Sequence, residues 1–272
     1  MRGNAHGVRG SWVTLLVTGS LLAGCSAHGA DGGSPRRTGA SAHTASPQAT
    51  APPTGGSTAT PVFTPDAAFV PRTSKDGQRL VESVVFTPGD WGRGFVAQDP
   101  AVSRPGTWPV LDDGCRWERE KAPRGVLASL SRYSLLPADG SKGAVKVTAA
   151  ATAHSSALGA DEQLSTTLEE ALRCPEQHPR ADTRITGLNS LGTPFGAREQ
   201  EYADDSVLEA GQYVEKDGAA QPYRWMVARL GTVVVAVSVT GAKGHTEQEL
   251  QQLGADVLGQ MLVRVQQRLK GK

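Results

Sequence analysis

The chain has 272 residues, with 28 Lys and Arg against 27 Asp and Glu and a formal net charge of +1. Four of the cations and one of the anions precede residue 63, so the remainder balances near −2. No basic stripe stands out, which argues against nucleic acid, or a directly bound anionic surface, as a partner.

The N-terminus has the three parts of an export signal. Arg2 and Arg9 form a positive opening with no acidic residue before Cys25, and Trp12 to Leu22 is apolar. That stretch is too short for the roughly 20 residues of a membrane-spanning helix and suits a signal-peptide core. It closes with Leu22-Ala23-Gly24-Cys25, which resembles the lipobox of bacterial lipoproteins. The resemblance implies cleavage after residue 24 and a diacylglyceryl group on the Cys25 thiol, with palmitate-type chains. Two or more acyl chains make a durable anchor where one does not. The expected address is therefore the outer face of the cytoplasmic membrane, extracytoplasmic, with the membrane itself a partner through the lipid. An ordinary cleaved signal is the alternative. Later segments are shorter still: the longest apolar run, Val233 to Val239, is strand-length.

Residues 25–62 consist of the candidate lipidated cysteine and a run of Ser, Thr, Ala, Gly, Pro and His, charged only at Asp31, Arg36 and Arg37. Such a segment buries too little apolar surface to offset its backbone entropy and is expected to be a disordered tether. As a flexible coil it would hold the folded part about 35 Å from the membrane. Its composition also permits O-glycosylation, although a plain spacer is the simpler reading.

Residues 63–272 have the length of one folded domain. Asp161 to Arg173 reads as an amphipathic helix with Leu164, Leu168, Ala171 and Leu172 inward, stopped by Pro175. Strands are expected over Val126–Leu136, Val145–Ala153 and Val207–Glu215. Turn signals at Asp112-Asp113-Gly114, Ala122–Gly125, Ala138–Gly140 and Lys216–Gly218 separate them. Pro222–Leu230 and Thr232–Thr240 flank Gly231 as a β-hairpin, with Val233, Val235, Val237 and Val239 on one face. Thr246 and Glu249 then form a capping box ahead of Leu250, Leu253, Val257, Leu258, Met261, Leu262, Val265 and Leu269, a helix of about 24 residues. Strand pairs followed by helices predict an α+β fold, an antiparallel sheet packed by helices and completed by this long C-terminal amphipathic helix.

Cys115 and Cys174 are the only cysteines past residue 25. In an exported chain an isolated pair is expected to be a disulfide. Cys174 and His178 have a metal-ligand spacing but lack a second ligand pair, so neither a metal nor a cofactor is expected.

Motifs for catalysis are missing: no Gly-x-Ser-x-Gly, Ser-x-x-Lys, His-Glu-x-x-His or phosphate-cradling glycine loop occurs. His154, His178 and His245 are expected at the surface, and Asp112-Asp113 and Asp204-Asp205 as turns. Four tryptophans, Trp91, Trp108, Trp117 and Trp225, are the candidate lining of a ligand cleft, because aromatics supply large area with a polar handle. Core packing competes with that role, above all for Trp117, two residues from a disulfide cysteine.

The order of elements resembles a known family. Leu168 to Cys174, then Tyr223 to Val235, then the terminal helix are similar to the PknH-like extracellular sensor domain, found on a mycobacterial receptor kinase and on actinobacterial lipoproteins. Thr87-Pro88-Gly89-Asp90-Trp91 falls near that family's opening helix and Pro/Gly-Trp segment. The resemblance implies an antiparallel sheet flanked by helices, a V-shaped cleft and a ligand-sensing role, without catalytic residues. It departs in having cysteines for one disulfide where the family carries two, and in having no kinase within the chain. The expected function is therefore a non-catalytic lipoprotein that binds an envelope ligand or protein partner. An envelope hydrolase with an unrecognised active site is the alternative.

Overall fold

The computed structural model describes residues 63–272 apart from Asp217. The expected signal peptide (1–24) and the expected lipidated cysteine and tether (25–62) lie outside the described residues.

In chain order the elements are α1 (Ser74–Val84), α2 (Pro88–Trp91), β1 (Val96–Val102), β2 (Thr107–Leu111), β3 (Trp117–Lys121), β4 (Val126–Leu136) and β5 (Val145–His154). Next come α3 (Ala157–Arg173), β6 (Gln177–Arg180), β7 (Thr183–Ser190), a 3-10 turn (Gly196–Arg198), α4 (Glu199–Tyr202), β8 (Asp205–Glu215), β9 (Gln221–Leu230), β10 (Val233–Thr240) and α5 (Glu247–Leu269). Eight strands form one antiparallel sheet in the order β1-β4-β5-β10-β9-β8-β7-β6, while β2 and β3 pair as a separate hairpin. This is the α+β architecture expected from the sequence. No helix among the described residues is long and apolar enough to cross a membrane.

Alternation assigns each strand residue to a face. Val233, Val235, Val237 and Val239 of β10 share one face with Val145, Val147 and Ala149 of β5 and with Met226 and Leu230 of β9. Against that face α5 lays Val257, Leu258, Met261, Leu262 and Val265, and α1 adds Val81 and Val84. Each such side chain contributes about 1.5–3 kcal/mol by leaving water. The capping box forms as expected: Thr246 Oγ1 accepts from the Glu249 amide at 3.1 Å, and Glu249 Oε2 accepts from the Thr246 amide at 2.9 Å. Gly254 lets α5 settle on the sheet, since a Cβ there would lie 3.0 Å from the Met226 sulfur.

The β10 strand is buried along its whole length, because its second face is covered too. There α3 sets Ala160 and Leu164 on Val207, Val227, Val234 and Ala236. This helix differs from the sequence expectation in two ways. It starts four residues before Asp161, at Ala157, because the Ser156 hydroxyl caps it by accepting from the Gly159 amide at 3.1 Å. Leu168 and Leu172 point outward, 39% and 85% exposed, because the stripe that meets the sheet runs through Ala160, Leu164 and Ala171.

His154 is another correction. It is 4% exposed, under the start of α3, where Nε2 meets Gln163 Oε1 at 2.7 Å. Burial lowers its pKa, against the pull of the Gln163 hydrogen bond. Asp112 and Asp113 do fall at a turn, whereas Asp204 sits in a bend and Asp205 opens β8, contrary to the expected second turn. Asp112 accepts from the Arg116 amide at 2.8 Å across the tip of the β2–β3 hairpin, and Asp204 accepts from the Gly231 amide at 2.7 Å and from Arg229 at 3.0 Å.

Candidate functional site

The sheet face that carries α3 is only partly covered by it. Beyond the helix, one transverse row runs in register across five strands: Tyr133 on β4, Thr148 on β5, Ser238 on β10, Trp225 on β9 and Glu209 on β8. The middle of the row is small and its ends are large. Thr148, Ser238 and the nearby Ala150 and Ser131 cannot fill the space above the sheet, and a cavity of about 530 Å³ lies over them. That volume falls within the range of small-molecule pockets.

A further wall is the β2–β3 hairpin, tied to the end of α3 by a disulfide. Cys115 at the hairpin turn is bonded to Cys174 at the end of α3, with Cα atoms 5.6 Å apart. Polar contacts reinforce the junction. The Arg173 guanidinium donates to the Leu111 and Asp112 carbonyls at 3.1 Å each, the His178 amide to the Cys115 carbonyl at 2.8 Å, and Trp117 Nε1 to Gln177 Oε1 at 2.7 Å. Arg119 spans from the hairpin towards the floor, bonding Thr107 Oγ1 at 2.9 Å and Ser131 Oγ at 3.4 Å. Since Cys174 is occupied by the disulfide, the Cys174–His178 spacing holds no metal. Among the described residues no cluster of three or more His, Cys, Asp or Glu is suited to one.

The four tryptophans divide. Trp117 and Trp225 line the cavity. Trp91 is 6% exposed in the core of the opposite face, with its ring centroid 5.9 Å from that of Phe86 and 5.8 Å from that of Phe95. Trp108 sits half-buried on β2 across from Glu120 and is not part of the cavity wall.

Two carboxyls on the cavity wall went unnoticed in the sequence, Glu209 on β8 and Glu170 on the last turns of α3. Glu209 is 2% exposed and its Oε1 has no hydrogen-bond partner. Burial, and then the neighbouring Glu170 carboxyl, push its pKa up to about 8. Burial likewise pushes Glu170 up to about 7, against the pull of Arg173. A charged residue inside the apolar run Val207-Leu208-Glu209-Ala210 was the available signal, since carboxylates are almost never fully buried without a partner.

Gly211 shapes the same wall. It follows Glu209 on that face, and a Cβ there would lie 3.0 Å from the Thr186 carbonyl oxygen. The irregular pairing of β7 between Thr186 and Asn189 brings Leu188 close to it. Gly211 thus lets β7 pack closely here, with Leu188 and Ile185 set against Tyr213 and Tyr223 along the edge of the cavity. A separate depression of about 520 Å³ beside α1 is lined by Phe69, Arg72, Arg79 and Arg268. None of the buried, unpartnered polar atoms belongs to it.

No family model matches the sequence, and no curated protein does. Among solved structures the chain is similar to the crystal structure of the extracellular domain of PknH from Mycobacterium tuberculosis, with a TM-score of 0.46 and 15% sequence identity, over 77% of this chain and 99% of that one.

Proposed function

We propose that the chain is an extracytoplasmic lipoprotein, anchored through Cys25, whose folded part binds a ligand in the cleft without transforming it. The observation that carries the binding role is the cavity itself. Its floor is made of small residues on a sheet otherwise packed on both faces, with aromatic walls and buried polar groups converging on it. Its native ligand is an envelope small molecule or a segment of a partner reaching into the cleft.

The binding role is tested by native mass spectrometry of the full chain purified from its own membranes, beside Thr148→Trp, which fills the floor. The wild type should carry an additional mass that the filled variant lacks, at equal melting temperature. Identical spectra with the bare chain in both would remove the proposal. For the anchor, Cys25→Ser is expected to shift the protein from the membrane fraction to the soluble one. Unchanged fractionation would remove the lipid.

One observation favours a second reading, an envelope hydrolase: two carboxyls with raised pKa share one cavity, the condition in which a general acid works near neutral pH. Steady turnover of a peptidoglycan or ester substrate, lost in Glu209→Gln, would establish it over pure binding.

A further inference from the structure

The ligand class follows from Glu209, given that the cleft is a binding site. We infer that the cleft is built for an organic ammonium ion, an apolar body bearing a protonated amine, with Glu209 as its counter-charge and the surrounding aromatic faces as its walls.

The first support is the state of Glu209. A carboxyl that is 2% exposed, with one oxygen facing no donor, is a costly arrangement. An N–H donor from the ligand relieves it, and a cationic donor relieves it most.

The second is what surrounds it. Trp225 is its direct cross-strand partner, and Tyr223 stands opposite Gly211, the next position on that face. Tyr213 and Tyr223 both line the cavity beside Glu209 and Trp225. Aromatic faces attract cations, the more so when desolvated. This cleft already does so once, with Lys146 Nζ 5.7 Å from the centre of the Tyr213 ring.

The third is that the protein's own cations around the cleft are engaged elsewhere. Lys146 is paired to Glu215 at 2.8 Å, Arg119 is held by Thr107 and Ser131, and Arg173 by backbone carbonyls. Arg180 is exposed on the edge strand β6. An anionic ligand would meet Glu209 and Glu170 together. For a metal ion, no three His, Cys, Asp or Glu side chains among the described residues come together as ligands.

The charge balance makes the inference measurable. Below about pH 8 Glu209 holds its proton, so pairing with an ammonium displaces that proton to solvent, and affinity rises with pH until the carboxyl is ionised. The other titratable or charged groups on the cleft are Glu170 from α3, Tyr213 on β8, Tyr223 from β9, Lys146 from β5 and Arg180 from β6. Tyr133 (β4), Glu118 and Arg119 (β3) and Asp99 (β1) complete the set, and β7 contributes none.

The test is isothermal titration of the purified full chain with three probes of one shape: tryptamine (cationic), 3-ethylindole (neutral) and indole-3-propionate (anionic). Tryptamine should bind about tenfold or more tighter than 3-ethylindole at pH about 8.5, the worth of one charge-assisted hydrogen bond. Its advantage should shrink at pH about 6, with proton release visible as a buffer-dependent enthalpy. Glu209→Gln, nearly isosteric, should bring tryptamine down to the level of 3-ethylindole. Equal binding of tryptamine and 3-ethylindole, or tighter binding of indole-3-propionate, would overturn the ammonium assignment while leaving the cleft a binding site. So would a tryptamine preference that survives Glu209→Gln. Failure of all three probes to bind would overturn both.

Discussion

Thermal stability is expected to fall as pH rises from about 5 to about 8, and Glu209→Gln is expected to remove most of that fall. The folded chain holds a proton on Glu209 up to about pH 8, whereas the unfolded chain releases it near 4.5. Below 4.5 both states bind the proton, and the stability from this group is fully present. Between the two values only the folded state binds it, so each step up in pH favours unfolding. Above about 8 the loss is complete. Moving one carboxyl from 4.5 to about 8 corresponds to roughly 5 kcal/mol, or about 10–20 °C in melting temperature for a domain of this size. Glu170, raised to about 7, acts in the same direction, and the two protons are released as a coupled pair. Asp90 acts oppositely. Burial would raise it, but hydrogen bonds from Arg264 and Thr87 bring it down to about 2, so its stabilisation is lost only below about pH 4. The two windows do not overlap. Melting curves by circular dichroism at pH about 5, 7 and 9 check the result. A wild-type profile that stays flat from 5 to 9, or one that Glu209→Gln leaves unchanged, would show that Glu209 is hydrated rather than buried.

The Cys115→Ser, Cys174→Ser double variant is expected to lose about 4 kcal/mol, with a melting temperature about 8–16 °C lower. The bond joins residues 59 apart, so most of the loss is restored freedom of the unfolded chain. The folded junction keeps other ties, since Arg173 still reaches the Leu111 and Asp112 carbonyls and Trp117 still reaches Gln177. Urea denaturation of the oxidised protein beside the double variant measures the difference. A second readout links the bond to the cleft. With the hairpin less firmly held against α3, more water reaches Glu209, and the fall in stability with pH becomes shallower. A double variant that melts within about 2 °C of the wild type would mean that the remaining contacts already restrain the junction in the unfolded ensemble.

Much of the C-terminal half was legible because its signals are local. Gly231, with φ of 59°, makes the turn between Leu230 and Val233, and the Thr246–Glu249 box sets where α5 begins. The segment before β4 was less legible. α1 is short, and its Leu80, Val81 and Val84 stripe lies in an otherwise polar sequence. β1 and β3 are mostly exposed strands, and β1 has no clean alternation. Their conformations come from what they pair with. The tryptophans show the same limit. Spacing along the chain does not reveal that Trp91 enters one side of the sheet while Trp225 faces the other.

The sequence by itself determined the α5 capping box, the α+β class and the pairing expected of Cys115 with Cys174, and it supplies the lipobox resemblance at Cys25 on which the proposed anchor rests. Each rests on neighbouring residues or on elimination among three cysteines. Only the tertiary structure decided the cleft. The row Tyr133, Thr148, Ser238, Trp225 and Glu209 draws one residue from each of five strands, and its members become neighbours solely through strand register. Whether a small residue leaves a hollow, or a glutamate loses its water, depends on what stands opposite. For Glu209 that is a hairpin and a helix end more than thirty residues away in sequence, joined through Cys115 and Cys174.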